Sequence, residues 1–189
     1  MDSPRRRTRC LESRRVFVLP AGILKPLPYF RIRLQILFVC HGNICRSPMA
    51  EFVFKDMVAK EGLAGQFFIA SAATSMEEIG NPVHRGTRAR LAKEGISTAG
   101  KHAVRMERSD CQKYDYIIGM DRWNYRDMLR IAGEGSKQKI SLLLDYTDHP
   151  RDVADPWYTG DFDQTYEDVE AGCRGLLDKI ISEGMLARH

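Results

Sequence analysis

The chain of 189 residues carries 29 Lys and Arg against 25 Asp and Glu and is 43% hydrophobic, enough apolar material for one packed domain. No uncharged apolar run approaches the ~18 residues of a membrane span, and no period of ~20–50 residues repeats, which sets aside transmembrane helices and solenoids. Five cysteines, at positions 10, 40, 45, 111 and 173, form neither paired zinc clusters nor an even disulfide framework; that usage predicts a reducing, cytoplasmic compartment.

The net charge of +4 is unevenly spread: residues 1–35 hold nine basic and two acidic groups, leaving 20 basic and 23 acidic groups for the remainder. The body therefore lacks the positive surface with which nucleic-acid binders neutralise phosphates. Segment 1–34 has no helical or strand period and carries prolines at 4, 20, 26 and 28. It reads as a basic, disordered extension, or as upstream sequence translated ahead of the domain. Ser13–Leu19 (SRRVFVL) resembles a twin-arginine export signal, but Lys25 and prolines interrupt its apolar part and no small-residue cleavage site follows.

From residue 35 onward the elements follow one another in a regular order. Ile36–Cys40 (ILFVC) is an unbroken run of strand formers, as expected of a strand buried on both faces. Pro48 suits a first helical turn, and Met49, Phe52, Val53 and Met57 recur at helical spacing as far as about Lys60. Phe67–Ala70 predicts a second strand, and Asn81-Pro82 a cap and first-turn proline for a helix that Gly95 stops after Glu94. Tyr114–Met120 predicts a third strand, Asp121 a cap for a helix to about Ala132, and Lys139–Leu142 a fourth strand. Phe162, Tyr166, Val169, Cys173, Leu176, Leu177, Ile180 and Ile181 form one stripe of a closing helix. This alternation predicts an α/β domain over 35–189, a four-stranded parallel sheet with helices on both faces in three α/β/α layers. Such sheets bind ligands beyond the carboxyl ends of their strands, where the loop after the first strand lies.

That loop, Cys40-His41-Gly42-Asn43-Ile44-Cys45-Arg46-Ser47, sets a thiol six residues before a guanidinium. Cys-x5-Arg spacing alone is weak. Its context is stronger: Gly42 and Asn43 both tolerate positive φ, so the backbone can curl with its N–H groups turned inward. The helix start behind the loop adds roughly half a positive charge, and Arg46 can grip two oxygens at once. A tetrahedral oxyanion fits, phosphate first. The same field, with a hydrogen bond from Ser47, favours an anionic Cys40 sulfur, the nucleophilic form. A buried strand-end cysteine beside a solvated arginine is the bland alternative, and it weakens because both residues share one loop. An aryl leaving group also needs a proton donor. Asp155-Pro156-Trp157-Tyr158-Thr159-Gly160 offers a carboxyl on a stiff turn beside aromatics, the alternative being an ordinary Asp-Pro turn.

The words Leu37–Glu51 (LFVCHGNICRSPMAE), Ser71–Ser75 (SAATS), Ile79–Pro82 (IGNP), Tyr116–Asn124 (YIIGMDRWN) and Asp155–Gly160 (DPWYTG) resemble those of low-molecular-weight protein tyrosine phosphatases. The resemblance runs from about Ile36 to the final helix. It implies a four-stranded parallel sheet, no metal, no cofactor, and two-step hydrolysis of phosphotyrosine in proteins, or another aryl phosphate, through a phosphocysteine. Phosphate would be product and inhibitor, and neither nucleic acid nor membrane a partner. Residue by residue, it implies Cys40 as nucleophile, Arg46 as phosphate-binding arginine, Ser47 as the hydroxyl steadying the thiolate, Asn43 as the residue holding the loop, and Asp155 as general acid, then base. Cys45 would be able to bond to Cys40 under oxidation. His41, Gly42 and Ile44 complete the phosphate loop, and Trp157 and Tyr158 form the aromatic wall.

The sequence departs from the family pattern in places. Met76-Glu77 stands where relatives place a facing aromatic. His41 is either part of the loop wall or an exposed bystander. Glu94 stands for the histidine that supports the loop asparagine in some relatives, leaving that support absent or supplied by Ser71. Three other functions are weighed. An arsenate reductase of the same fold needs relay cysteines, for which only Cys111 is available between residues 80 and 120. A protein-arginine phosphatase usually has Thr at the position of Ile44. A non-catalytic phosphoprotein-binding module would normally have lost Cys40 or Asp155.

Overall fold

The computed structural model describes residues 33–186, so the extension expected at 1–34 and the export-like segment fall almost wholly outside the described residues. In chain order the elements are β1 (Leu34–Cys40), α1 (Arg46–Lys60), β2 (Phe67–Ala73), α2 (Arg85–Lys93), α3 (Asp110–Lys113), β3 (Tyr116–Gly119), α4 (Arg122–Ala132), β4 (Ile140–Leu142), α5 (Pro156–Thr159) and α6 (Phe162–Ser182). The strands form one sheet in the order β2-β1-β3-β4, every neighbouring pair parallel.

Strand residues alternate between faces, and β1 shows why its apolar run is unbroken. Ile36, Phe38 and Cys40 pack with Met49, Val53 and Phe54 of α1 and Val169, Leu176 and Ile180 of α6. Leu37 and Val39 pack with Met128 and Ala132 of α4 on the other face. Burying one such side chain contributes about 1.5–3 kcal/mol, so both layers hold β1 in register. Phe54 meets Phe38 and Phe67 edge-on, with ring centroids 5.8 and 5.6 Å apart. Gly175 brings α6 so close to the Leu143–Tyr146 turn that a Cβ there would collide with the Tyr146 carbonyl. Among the described residues no helix is long and apolar enough to cross a membrane.

Several boundaries differ from the sequence reading. β2 runs on to Ala73 because Ser71, Ala72 and Ala73 pair with Phe38, Val39 and Cys40. α1 starts two residues before Pro48, which still lies in the first turn, where its missing N–H is harmless. Asn81 does not cap α2. Its carbonyl accepts the Ala103 N–H at 2.9 Å and Pro82 bridges His102, so the helix begins later, with His84 accepting the Gly86 N–H at 3.2 Å. Gly95 ends it at φ +74°. Asp121 caps α4 as expected, accepting the Asn124 N–H at 2.7 Å. The Asp155 turn is a one-turn helix, α5.

Candidate active site

The candidate site begins where β1 ends. Asn43 has φ +57°, the only positive value outside glycine among the described residues. That conformation costs most L-residues about 1–2 kcal/mol. Here the side chain holds it: Nδ2 donates to Ser47 Oγ and to Ser71 Oγ, both at 2.8 Å, and Oδ1 accepts the Val104 N–H at 3.1 Å. Gly42 does not share the positive φ expected of it. Its missing side chain matters for space, because a Cβ would lie 3.1 Å from Glu78 Cγ.

The curl turns the Asn43 N–H onto Cys40 Sγ at 3.3 Å and sets Ser47 Oγ 3.0 Å from the same sulfur. Because Ser47 Oγ accepts from Asn43 at 2.8 Å, its single proton has two acceptors in reach, the Cys40 sulfur at 3.0 Å and the more distant Ala72 carbonyl at 3.5 Å. Behind it, Ser71 Oγ donates to Glu51 Oε2 at 2.6 Å, and Lys101 and Lys55 pair with the same carboxylate at 2.9 and 2.5 Å. Burial pushes the Glu51 carboxyl up, but Lys101, Lys55 and Ser71 outweigh it and hold the group below its ordinary value. An anionic acceptor at Glu51 fixes the direction of the bonds from Ser71 back through Asn43 to Ser47, and the shorter Ser47–Cys40 contact is where the Ser47 proton meets the sulfur. Donors therefore converge on the sulfur, as an anion there requires.

Glu94 takes no part in this support. It lies at the C-terminal end of α2, paired with Arg90 at 2.7 Å. Ser71 is the direct partner of Asn43, backed by two residues the sequence reading missed, Glu51 and Lys101. Glu51 had one legible signal: it lies four residues after Ser47 on α1, hence on the same helix face.

Arg46 opens α1 and is 3% exposed. Its Nη1 meets Asp121 Oδ2 at 2.6 Å and its Nη2 meets Asp155 Oδ2 at 2.5 Å. Burial works against its charge, but Cys40, Asp155 and Asp121 outweigh that and raise the guanidinium above its ordinary value. Asp121, expected only as a helix cap, thus also anchors Arg46. Asp155 caps α5 through the Trp157 N–H at 3.1 Å while its other oxygen faces Arg46.

Cys40, His41, Gly42, Ile44, Cys45, Arg46, Asp155, Trp157 and Tyr158 line one cavity of about 160 Å³ together with Glu77 and Glu78. Asn43 and Ser47 are fully buried behind it. Every site residue expected from sequence is therefore at the cavity or directly supporting it. Trp157 and Tyr158 are exposed aromatics; of the expected Met76-Glu77 pair only Glu77 lines the cavity, with Glu78 beside it. His41 is at the mouth, its Nε2 3.1 Å from Glu77 Oε2. The Cys45 thiol is pushed up to about 12 by burial and by the neighbouring Cys40 and Asp155 charges, which keeps it a neutral thiol.

A family model described as low molecular weight phosphotyrosine protein phosphatase matches residues 35–185. The chain belongs to this family. Low molecular weight protein-tyrosine-phosphatase YfkJ of Bacillus subtilis is 43% identical over 155 residues, covering 81% of this chain and 99% of that protein. The crystal structure of YfkJ superposes with a TM-score of 0.77 at 44% identity, over 80% of this chain and 96% of that one. A low molecular weight phosphotyrosine protein phosphatase of Gallus gallus is 40% identical over 150 residues, 77% of this chain and 94% of its own. A protein tyrosine phosphatase of Entamoeba histolytica, solved with Hepes in its active site, superposes with a TM-score of 0.74 at 32% identity, over 81% and 99% of the two chains.

Proposed function

We propose that this phosphatase hydrolyses aryl phosphates, phosphotyrosine in proteins first among them, through a phosphocysteine on Cys40. The reading is carried by one observation: the Cys40 sulfur, the Arg46 guanidinium and the Asp155 carboxyl face a single cavity walled by Trp157 and Tyr158. The phosphate dianion takes the place of Asp155 at the Arg46 guanidinium, which grips two of its non-bridging oxygens while Asp121 keeps its hold on Nη1, and the displaced Asp155 carboxyl is then free to carry a proton. The Cys40 thiolate attacks phosphorus, forming the S–P bond as the P–O bond to the aryl oxygen breaks, and protonated Asp155 gives its proton to the departing oxygen. In the second step the Asp155 carboxylate takes a proton from water. The water oxygen attacks phosphorus, the S–P bond breaks, and phosphate leaves with thiolate and protonated acid restored. Phosphate, as product, competes for the same loop.

The catalytic unit in this reading is 35–189, with 1–34 an extension to it. Turnover requires Cys40 to stay reduced, which supports a cytoplasmic setting. Cys111 packs with Leu37, Val39 and Tyr114 on the sheet face opposite Cys40, so it gives an arsenate relay no support, and Ile44 offers the cavity a bulky apolar wall suited to an aryl group rather than a guanidinium. Purified protein offered p-nitrophenyl phosphate, phosphoarginine, and arsenate with a thiol donor separates these chemistries. Aryl phosphate turnover is expected, abolished by Cys40→Ser and reduced about 10²–10⁴-fold by Asp155→Asn. Arsenate reduction without phosphatase turnover would contradict the proposal.

A further inference from the structure

Asp168 lies on α6, away from the cavity, and is 3% exposed. Its carboxylate accepts four hydrogen bonds: from Arg151 Nη1 at 2.8 Å and Nη2 at 2.5 Å, from Gln164 Nε2 at 2.9 Å, and from the Ala154 N–H at 3.3 Å. Arg151 and Ala154 belong to the segment that delivers Asp155. Thr165, one turn earlier on α6, shares its hydroxyl proton between the Ala154 carbonyl at 3.1 Å and the Asp161 carbonyl at 3.0 Å, so both polar groups of the Ala154 backbone meet side chains of one helix. Val153 before it is buried, with its N–H bound to the Met120 carbonyl at 2.8 Å.

A carboxylate so far from water is costly unless fully paired, and for stability alone an apolar side chain serves as well. The inward positions around it on α6 are in fact filled by Tyr166, Val169 and Cys173. The partners that repay this burial, Gln164 apart, all come from the segment ending in Asp155.

We propose that Asp168 is a positioning residue for the general acid, setting the Asp155 carboxyl over the Cys40 loop through Arg151 and the Ala154 backbone. The inference rests on the reading of Asp155 as acid given above. A displacement of about 1 Å at a reacting group costs on the order of 10²-fold. Loss of a proton donor weighs most on poor leaving groups, because a good one departs unprotonated.

The test measures kcat/KM for Asp168→Asn over a series of aryl phosphates from p-nitrophenyl to phenyl phosphate, with Asp155→Asn as reference. The variant is expected to lose about 10- to 10²-fold on phenyl phosphate and much less on p-nitrophenyl phosphate. Inhibition by inorganic phosphate and alkylation of Cys40 by iodoacetate, which report on the loop, should stay at wild-type levels. An equal loss across all leaving groups, or a lowered Tm with unchanged kinetics, makes Asp168 a merely structural residue and overturns the proposal. If Asp168→Asn does not fold, Arg151→Ala, which removes a half-exposed side chain, must show the same leaving-group dependence at smaller amplitude; a flat response overturns the proposal. Should Asp155→Asn itself show no such dependence, the acid assignment falls and this inference with it, whereas a steep Asp155→Asn beside a flat Asp168→Asn sinks this inference alone.

Discussion

Asn43 is the residue whose replacement reports most fully on what shapes the phosphate loop. Asn43→Ala removes three hydrogen bonds, the buried ones to Ser47 and Ser71 and the partly buried one to Val104, each worth about 1 kcal/mol net. It also leaves an ordinary Cβ at φ +57°, which costs a further ~1–2 kcal/mol. Asn43→Gly loses the same bonds but not the backbone preference, and its looser unfolded chain gives back about 0.4–1 kcal/mol of that advantage. The expected losses are therefore about 4–5 kcal/mol for Ala and about 0.5–1 kcal/mol less for Gly, against a total stability of about 5–15 kcal/mol. Urea unfolding measures both, with kcat/KM on p-nitrophenyl phosphate beside it. Each variant should lose at least ~10-fold in kcat/KM, because Ser47 is released from the orientation that aims its proton at Cys40. Two variants with wild-type stability and activity, or an Ala variant more stable than Gly, would refute the claim that this side chain holds the curl.

Two further perturbations address charge. The Glu51 carboxyl sits lower in the folded state than its ordinary value, so its contribution to stability is present above the usual carboxylate range and is lost as pH falls through the lowered folded value. Between about pH 5 and pH 3 the urea midpoint of the wild type should fall more steeply than that of Glu51→Gln; parallel curves contradict the assignment. At the rim, His41 and Glu77 are exposed partners, a kind of pair worth about 0–1 kcal/mol. Glu77→Gln should leave Tm unchanged while raising kcat/KM for a phosphotyrosine peptide with acidic flanks, most clearly at low salt. An unchanged ratio between acidic and basic peptides would show that this rim does not meet the peptide.

How much of this was legible in sequence depended on the range of the interaction. The β1 run announced a doubly buried strand because each of its residues meets a helix layer. The Cys40–Ser47 loop was legible because its working parts lie within eight residues, and its position beyond a parallel strand follows from the alternation of elements. Asn81-Pro82 carried the right local chemistry for a cap, but contacts with Ala103 and His102 claimed that backbone first. Glu94 was legible as the end of α2, where the structure has it, and of the two alternatives for support of Asn43 the structure has Ser71. Lys101 and Asp168, and the second role of Asp121, were missed because each meets its partner across a separation that only tertiary packing closes, whereas Glu51 shares a helix face with Ser47 and hides only its partner, Ser71 on β2.

The central claim is that the Cys40 sulfur becomes covalently phosphorylated during turnover, and rapid acid quench followed by peptide mass spectrometry tests it most directly. During steady-state hydrolysis of p-nitrophenyl phosphate, the account predicts a phosphoryl group on the peptide containing Cys40, absent from Cys40→Ser. Turnover with no phosphorylated Cys40, or with the phosphoryl group on another residue, would contradict it.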